Sequence, residues 1–336
     1  MKELKNIGFY TLSNDRARTS SMTSQMKRCE MIITEYCNFK CPYCRGLSDE
    51  IYGNRPVKQL SLNEIKRNID LWCKDMPLEN IRFSGGEPTL HRDIVKIIAY
   101  AKAKGIKRIA ISTNGSNRIA LYKELIEEGC NDFSISLDAC CSSTGDKMAG
   151  GVYGAWEKVI ANIKEISKYT YVTVGVVLTP DNIAETAKII DFAHNLGVSD
   201  IRIITSAQWN EKLSELDSVS EELLNKHPIL KYRIENFKNG KHIRGIEKSD
   251  YRHCGLMLDD SIIAGNFHFP CIIYMREGGK PIGLISDKMR EERYQWYKTH
   301  DTFEDPICRK NCLDVCVDYN RMFRDLNPIA NDSYNK

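Results

Sequence analysis

The 336-residue sequence has no apolar run that approaches the roughly 18 residues of a transmembrane helix. Its first residues, MKELKNIGFYTLSND, contain no apolar core of a secretion signal, so we expect a cytoplasmic protein that does not contact membranes. Strong charge of either sign is also missing, since the formal net charge is +3. Such a mild balance gives no reason to expect a nucleic-acid partner.

Cysteine, in contrast, is abundant, with 13 residues in the chain. Disulfides are rare in cytoplasmic proteins, so clustered cysteines indicate a metal site or redox chemistry. Three cysteines lie within 37–44 and five lie within 254–316. Cys29, Cys73 and Cys130 are isolated, and we expect them to be core residues.

Short apolar runs alternate with amphipathic segments between residues 31 and 205. The runs predict six strands, at 31–34, 81–85, 107–113, 132–138, 171–178 and 200–205. Segments such as 61–76 have the spacing of helices, and Ser61 with Glu64 forms a capping box. Alternating strands and helices predict an α/β fold with a parallel sheet. About six such units suggest a partial (β/α)6 TIM-like barrel, with its site at the C-terminal ends of the strands.

The pattern divides the chain into five predicted parts. They are an N-terminal extension (1–30), the partial barrel (31–208), a charged connector (209–250), a cysteine-rich domain with an apparent hairpin (251–320) and a polar surface tail (321–336). Gln208, Trp209 and Asn210 follow the sixth strand, where they are candidates either for substrate contact or for a surface turn.

Cys37, Cys41 and Cys44 follow the first predicted strand with the spacing C-x3-C-x2-C. Three thiolates on one loop can hold a metal centre but leave one coordination position open, because structural zinc sites and iron–sulfur clusters normally take four ligands. An open position is what catalysis requires. A zinc loop completed by a distant residue is the alternative.

Two motifs together resemble those of the radical S-adenosylmethionine (radical SAM) enzymes. The first is the cysteine loop, in which Tyr43 occupies the aromatic position of C-x3-C-x-aromatic-C, and the second is SGGEP at 84–88, which ends the second strand. The resemblance spans residues 31 to about 205. It implies a [4Fe–4S] cluster on the three cysteines, with S-adenosylmethionine on the fourth iron.

The strand ends supply the cofactor-binding residues that this resemblance implies. Gly85 and Gly86 allow a close approach of backbone to ligand, Glu87 is expected to face the ligand's ammonium, and Pro88 fixes the exit of the turn. Further candidates are Ser112 and Asn114 near the ribose, Ser136 and Asp138 for the carboxylate or ribose, and Val176 for packing on adenine. Asp138 is also a candidate for facing substrate. Ordinary turn and cap chemistry is the alternative for each polar residue alone.

The reaction type is implied by the same resemblance. One electron from the reduced cluster breaks the S–C5′ bond of S-adenosylmethionine, methionine leaves, and a 5′-deoxyadenosyl radical abstracts hydrogen from a substrate. An external one-electron donor such as flavodoxin or ferredoxin is then required. The protein's own contribution is to position the substrate and exclude water.

The late cysteines resemble the auxiliary-cluster extensions of the family, which are called SPASM or twitch. They are Cys254, Cys271, Cys308, Cys312 and Cys316. A full SPASM pattern needs more cysteines, so we expect one auxiliary [4Fe–4S] cluster with one thiol to spare. A second, partly open cluster and a structural zinc knuckle are the alternatives. The cluster would accept an electron from the substrate radical, anchor the substrate or support the fold.

Cys140 and Cys141 follow the fourth strand on the side of the predicted site. One hypothesis makes either thiol a catalytic hydrogen donor to a substrate radical, which would give a net epimerisation. The other makes both of them small hydrophobic residues.

The resemblance implies a radical SAM enzyme that oxidises or epimerises a small molecule such as a sugar, an aminocyclitol or a nucleoside. Peptide-modifying members of the family often carry a leader-binding domain of roughly 80 residues, and the 1–30 segment is too short for one. A maturase that cross-links or epimerises a ribosomal peptide is the alternative. A non-catalytic cluster- or zinc-binding scaffold is a further one.

Overall fold

Six parallel strands form the centre of the computed structural model, which describes residues 14–45, 59–206, 216 and 219–327. The strands are β1 (Arg28–Thr34), β2 (Asn80–Gly85), β3 (Arg108–Thr113), β4 (Asp132–Ser136), β5 (Tyr171–Leu178) and β6 (Asp200–Thr205). They lie in the order β6-β5-β4-β3-β2-β1, and β1 has a further strand on its other side. The sheet therefore does not close on itself, and the predicted parallel α/β partial barrel is confirmed.

Helices cover one face of this sheet. They are α2 (Leu62–Trp72), α3 (Ile94–Ala103), α4 (Ile119–Glu127), α5 (Ser142–Met148), α6 (Ala155–Ile166) and α7 (Thr186–Asn195), and a short α1 (Asn14–Thr19) precedes β1. Ser61 and Glu64 cap α2 reciprocally, as the sequence predicts. The strand residues on the helix-covered face, among them Met31, Phe83 and Val174, belong to one hydrophobic core.

The opposite face of the strands is polar, and we call the set Glu30, Arg82, Ser134 and Arg202 the polar face. Ser84 donates to Glu30 at 2.6 Å, and the Arg202 guanidinium donates to Ser134 at 3.2 Å. Burial lowers the pKa of Arg82, while the charge of Glu30 opposes that effect. The interior of the partial barrel is therefore charged, although its outer face is apolar.

The C-terminal part extends the same sheet. Its elements are α8 (Glu221–Lys226), α9 (Pro228–Lys238), β7 (Asp260–Ala264), β8 (Phe267–Phe269), α10 (Ile272–Arg276), β9 (Gly283–Leu284), α11 (Met289–Thr299), α12 (Pro306–Asn311) and α13 (Asp314–Leu326). Strand β7 pairs in parallel with β1, and β8 and β9 continue the sheet as antiparallel strands. The predicted hairpin therefore exists, but it is an edge of the barrel sheet.

One predicted boundary, the start of the tail, differs from the structure. The expected tail from 321 onward is helical as far as Leu326, and Phe323 is buried in a cluster with Leu256. In the expected connector, the Ile229 amide donates to the Asp200 carboxylate at 3.1 Å, which fixes α9 against β6. Amphipathic packing explains the helical start of the expected tail, because α13 buries one side despite its polar composition.

Gln208, Trp209 and Asn210 lie outside the described residues. None of the helices in the described ranges combines the length and apolar character that membrane crossing requires.

Candidate active site

The loop that follows β1 carries the early cysteines at the carboxyl edge of the sheet. Cys37 and Cys44 are exposed and Cys41 is partly buried. The Cys44 amide donates to the Cys41 carbonyl at 3.0 Å, so a tight turn separates these two thiols. The Phe39 amide donates to the Cys37 sulfur at 3.4 Å. All three thiols are thus presented from one short, internally hydrogen-bonded loop.

The three thiols are close enough for two of them to raise the pKa of Cys41 but too far apart to share one zinc ion. Burial raises the pKa of Cys41 to about 12, and the charges of Cys44 and Cys37 add to that effect. Within the described residues they do not form a trio with all sulfurs inside 4.8 Å of one another. One zinc ion would hold its thiolates about 3.8 Å apart, given Zn–S bonds of about 2.3 Å. The wider spacing suits thiolates on separate irons of a cluster.

Gly85 and Gly86 allow the backbone at the end of β2 to pack closely against this loop. A Cβ at Gly85, which has φ +137°, would lie 2.0 Å from the Thr34 carbonyl oxygen, and one at Gly86 would lie 2.3 Å from that of Tyr36. The Gly86 amide donates to the Thr34 carbonyl at 2.8 Å, and the Glu87 amide donates to the Tyr36 carbonyl at 2.6 Å. Only glycine allows this approach, so the two glycines determine where the cysteine loop lies.

Glu87 differs from the expectation that it faces a ligand. Its side chain is buried, and one oxygen accepts from the hydroxyls of Thr89 and Thr113 at 2.6 and 2.7 Å. The other oxygen accepts from the Asn114 amide at 2.6 Å, and Pro88 starts the short 3-10 turn that follows. Burial raises the pKa of this carboxyl, against the effect of its hydrogen bonds. Glu87 therefore joins the β2 and β3 ends and does not point outward.

Asn114 extends this network to the cysteine loop. The side-chain Nδ2 of Asn114 donates to the side-chain oxygen of Asn38 at 2.9 Å and lies 4.0 Å from the Cys37 sulfur. Ser112 is partly buried near the end of β3, whereas Ser136 is exposed at the end of β4, opposite Gly175 in β5. Among the predicted cofactor residues, Ser136 is thus the one whose side chain is exposed.

Asp138 is a second departure from the expected ligand contacts. One of its oxygens accepts from the Val177 amide at 2.7 Å and the other from the Tyr43 hydroxyl at 2.5 Å. Burial raises the pKa of this carboxyl to about 6. The aromatic residue between Cys41 and Cys44 is therefore held by the ends of β4 and β5, a link that no sequence pattern indicates.

Val176 requires a correction. Its side chain is fully buried in the hydrophobic core on the helix-covered face, so it cannot pack on a ligand. Side chains alternate along a strand, and Val177 is the partly buried neighbour on the face shared with Gly175. The prediction for Val176 is therefore wrong, because this valine lies on the helix-covered face and the next residue, Val177, lies on the other face.

Cys140 and Cys141 lie beyond the end of β4. Cys140 is partly buried and packs against the hydrophobic core, and burial raises its pKa. Cys141 precedes α5, with its sulfur 3.4 Å from the hydroxyls of Ser143 and Thr144. Hydrogen bonds with those two residues lower the pKa of Cys141. Both contacts are local to this turn.

The five late cysteines are brought together by β8, α12 and α13. Burial raises the pKa of Cys254 to about 11 and that of Cys271 to about 12, and Cys316 contributes to both shifts. Cys312 and Cys316 share a hydrogen bond. As with the early loop, no three of these thiols in the described chain fit inside 4.8 Å. A zinc knuckle is therefore a poorer fit than a larger cluster.

Polar neighbours surround these late thiols. The Tyr274 amide donates to Cys271 at 3.3 Å, and the Asn320 side chain donates to Cys254 at 3.4 Å. The Tyr251 hydroxyl lies 3.2 Å from the Cys312 sulfur. Hydrogen bonds of this kind orient thiolate ligands and tune the potential of a bound cluster.

The two cysteine groups are joined by charged residues. Arg45, directly after Cys44, forms an ion pair of 2.6 Å with Glu277, at the end of α10. Arg244 donates to the Thr205 carbonyl at the end of β6 and to the Asn311 carbonyl beside Cys312. The sequence contains no signal for either contact, because the partners are distant in the chain.

Comparison with known proteins agrees with this geometry. Residues 31–193 match the model of the Radical SAM superfamily. The chain is 29% identical over 208 residues to a probable GTP 3′,8-cyclase of Sulfurisphaera tokodaii, covering 59% of this chain and 64% of that protein. It is 30% identical over 190 residues to the GTP 3′,8-cyclase of Synechococcus elongatus, with 55% and 56% covered. The chain thus spans less than two thirds of these relatives.

Solved structures share the fold. Streptococcus suis SuiB bound to S-adenosylmethionine superposes with a TM-score of 0.56 at 16% identity, covering 84% of this chain and 67% of that one. Native anSMEcpe with bound AdoMet gives a TM-score of 0.56 at 16% identity, covering 92% and 99%.

The cofactors of this family are a [4Fe–4S] cluster and S-adenosylmethionine, and the cysteine-rich C-terminal region is compatible with an auxiliary cluster. The family match begins in the strand before the cysteine loop and includes the first five strand ends. On this evidence residues 31–193 form a domain of the radical SAM superfamily.

Proposed function

We propose that this protein is a radical SAM enzyme that removes a hydrogen atom from a polar small molecule of the nucleoside, sugar or aminocyclitol type. The observation that supports this most is the cysteine loop seated on the glycine turn, with three spaced thiols and one coordination position left over. When bound, the cluster and S-adenosylmethionine supply a 5′-deoxyadenosyl radical.

Cys37, Cys41 and Cys44 are the proposed ligands of the SAM cluster. The Phe39 amide and the Asn114 side chain approach the Cys37 sulfur, and such donors stabilise the thiolate. Partial burial of Cys41 would keep water from that side of the cluster. The loop thus supplies both the ligands and part of the shell that sets the cluster potential.

S-adenosylmethionine would lie along the carboxyl ends of β2 to β5. The backbone of Gly85 and Gly86 would approach its methionine end, and Ser136 would donate to its carboxylate or ribose. Val177 replaces the neighbouring valine as the proposed apolar contact for adenine, because it lies on the open face. Glu87 and Asp138 act as positioning residues through Asn114 and Tyr43.

The polar face supports a polar substrate below this site. Arg202 reaches past Ser134 toward Gly175, and its Nη2 lies 3.2 Å from where a Cβ of that glycine would be. A guanidinium there can pair with a phosphate or carboxylate. The relatives named for a reaction of GTP are consistent with a nucleotide-like substrate. The net outcome would be an oxidation or an epimerisation.

The auxiliary cluster would be held by four of Cys254, Cys271, Cys308, Cys312 and Cys316. Its proposed role is to take an electron from the substrate radical, which makes the net reaction an oxidation. The protein would draw the initiating electron from an external flavodoxin- or ferredoxin-type donor.

Anaerobic reconstitution with iron and sulfide tests this proposal. Two clusters predict about eight iron atoms per chain, and dithionite should then produce 5′-deoxyadenosine from S-adenosylmethionine. Cys37→Ala should abolish that product and lose about half of the iron. Cys73→Ala is the matched control, since this isolated cysteine packs on the core. Zinc in place of iron, with no cleavage, would instead support a non-catalytic scaffold.

Deuterium transfer separates the substrate classes. GTP, other nucleotides and phosphorylated sugars, each deuterated on its sugar carbons, are incubated with the reduced holoenzyme, and deuterium is measured in 5′-deoxyadenosine. Transfer from one of them, weakened by Arg202→Ala, supports the small-molecule proposal. Transfer only from a deuterated peptide would favour the maturase alternative.

A further inference from the structure

The most compact group of metal-binding side chains lies beside the late cysteines and uses only one of them. The Cys308 sulfur is 3.9 Å from His300 Nε2, and that nitrogen is 3.5 Å from Asp305 Oδ2. The three ligand atoms all lie within 4.8 Å of one another, and no other trio of His, Cys, Asp or Glu in the described part of the chain does so.

These distances match one tetrahedral metal ion. Zinc bonds of about 2.3 Å to sulfur and about 2.0 Å to nitrogen or oxygen place neighbouring ligand atoms about 3.3–3.6 Å apart. The two separations from His300 Nε2, 3.9 and 3.5 Å, therefore need only a small inward movement on binding, and the Cys308 sulfur and the Asp305 oxygen lie within 4.8 Å of each other. An imidazole, a carboxylate and a thiolate are also a donor set that zinc accepts.

Surrounding contacts hold each side chain in place. Asp305 accepts from the amides of Ile307 and Cys308 with Oδ1, which leaves Oδ2 facing His300, and the Tyr274 hydroxyl lies 3.2 Å from Oδ2. The His300 ring stacks on Trp296 at 3.8 Å between centroids. A carboxylate that caps a helix with one oxygen and meets a histidine with the other is already oriented for a ligand role.

We propose that His300, Asp305 and Cys308 form a mononuclear site for a divalent transition-metal ion of the zinc class, separate from the auxiliary cluster. The Cys308 thiol would lose its proton to solvent as the metal binds, and a water molecule would take the fourth position. This assignment also accounts for the fifth late cysteine. Cys254, Cys271, Cys312 and Cys316 then remain as the four cluster ligands that saturation requires.

Metal analysis of the anaerobically reconstituted full chain, supplied with zinc and then desalted, tests the site. Wild type should hold about one zinc per chain beside the cluster iron. His300→Ala, Asp305→Asn and Cys308→Ala should each lower zinc at least roughly tenfold and leave iron unchanged. His253→Ala is the matched control and should retain zinc, because its ring lies against the His300 carbonyl and the Tyr297 ring and is not one of the three proposed ligands.

X-ray absorption at the zinc edge identifies the ligands even if one variant folds poorly. Wild type should show one sulfur at about 2.3 Å with nitrogen or oxygen ligands, and Cys308→Ser should lose that sulfur. A zinc shell of four sulfurs, no zinc in wild type, or the loss of about four irons in Cys308→Ala would each overturn the proposal. Cleavage of S-adenosylmethionine is measured separately, so this site and the proposed function can fail independently.

Discussion

Arg45 and Glu277 form an ion pair of 2.6 Å that ties the loop of the early cysteines to the helix after Cys271. Arg45 directly follows Cys44, and both charged side chains are largely shielded from solvent. The two cysteine groups are therefore connected through side chains as well as through the sheet, and a change at one can alter the position of the other.

Glu277→Gln removes the negative charge of this ion pair while keeping the size of the side chain. We expect the free energy of unfolding to fall by about 1–2 kcal/mol, because the pair is shielded but not fully buried. Urea unfolding of the anaerobic holoprotein measures the change. Glu222→Gln, which breaks an exposed pair with Lys226, is the matched control and should have no measurable effect. Equal effects from both variants would contradict a special role for the Arg45 pair.

Gly86→Ala should displace the cysteine loop, since a Cβ there would lie 2.3 Å from the Tyr36 carbonyl oxygen. We expect about half of the iron to be lost and 5′-deoxyadenosine formation to be abolished, while the late cysteines keep their cluster. Iron analysis and product chromatography check both effects. Gly197→Ala has open space around it, carries only a positive-φ cost of about 1 kcal/mol and should retain full iron.

Val177 and Val176 provide a test of which strand face meets the cofactor. Val177→Ala should raise the concentration of S-adenosylmethionine needed for half-maximal cleavage several-fold, with little change in stability. Val176→Ala should lower the free energy of unfolding by roughly 2 kcal/mol and leave that concentration unchanged, because it creates a core cavity. The reverse pattern would restore the interpretation based on sequence.

Because of Asp200, the free energy of unfolding should fall as the pH rises from about 4 to about 7. Burial raises the pKa of this carboxyl from 3.8 to about 7, so the folded state holds the proton more tightly than the unfolded state between those values. Its favourable contribution is complete below about pH 4 and is lost by about pH 7, by at most about 4 kcal/mol. Urea unfolding of wild type and Asp200→Asn across this range measures the difference. Parallel pH profiles would contradict this prediction, because they would mean that folding does not raise the pKa of Asp200.

Cys140→Ala and Cys141→Ala should each leave 5′-deoxyadenosine formation within about twofold of wild type, because their described contacts are local or with the core. Once a substrate is known, product stereochemistry checks the hydrogen-donor hypothesis. Loss of one stereoisomer in either variant would revive that hypothesis.

Much of the fold followed from local patterns. Apolar runs with intervening amphipathic segments predict all six barrel strands, and the Ser61–Glu64 capping box is present as expected. The boundary at 320 was wrong because composition does not reveal that Phe323 has a partner from distant Leu256. Val176 was assigned to the wrong face because the strand carries valine on both faces.

By itself the sequence determined where cysteines cluster and which turns need glycine, since spacing along one loop is a local property. Only the tertiary structure decided where the carboxylates point. Glu87 and Asp138 face inward because Thr113 of β3 donates to the first and Tyr43 of the cysteine loop donates to the second. The compact trio of His300, Asp305 and Cys308 likewise depends on how α11 and α12 meet. Burial and hydrogen bonding between distant segments select among chemistries that side chains alone leave open.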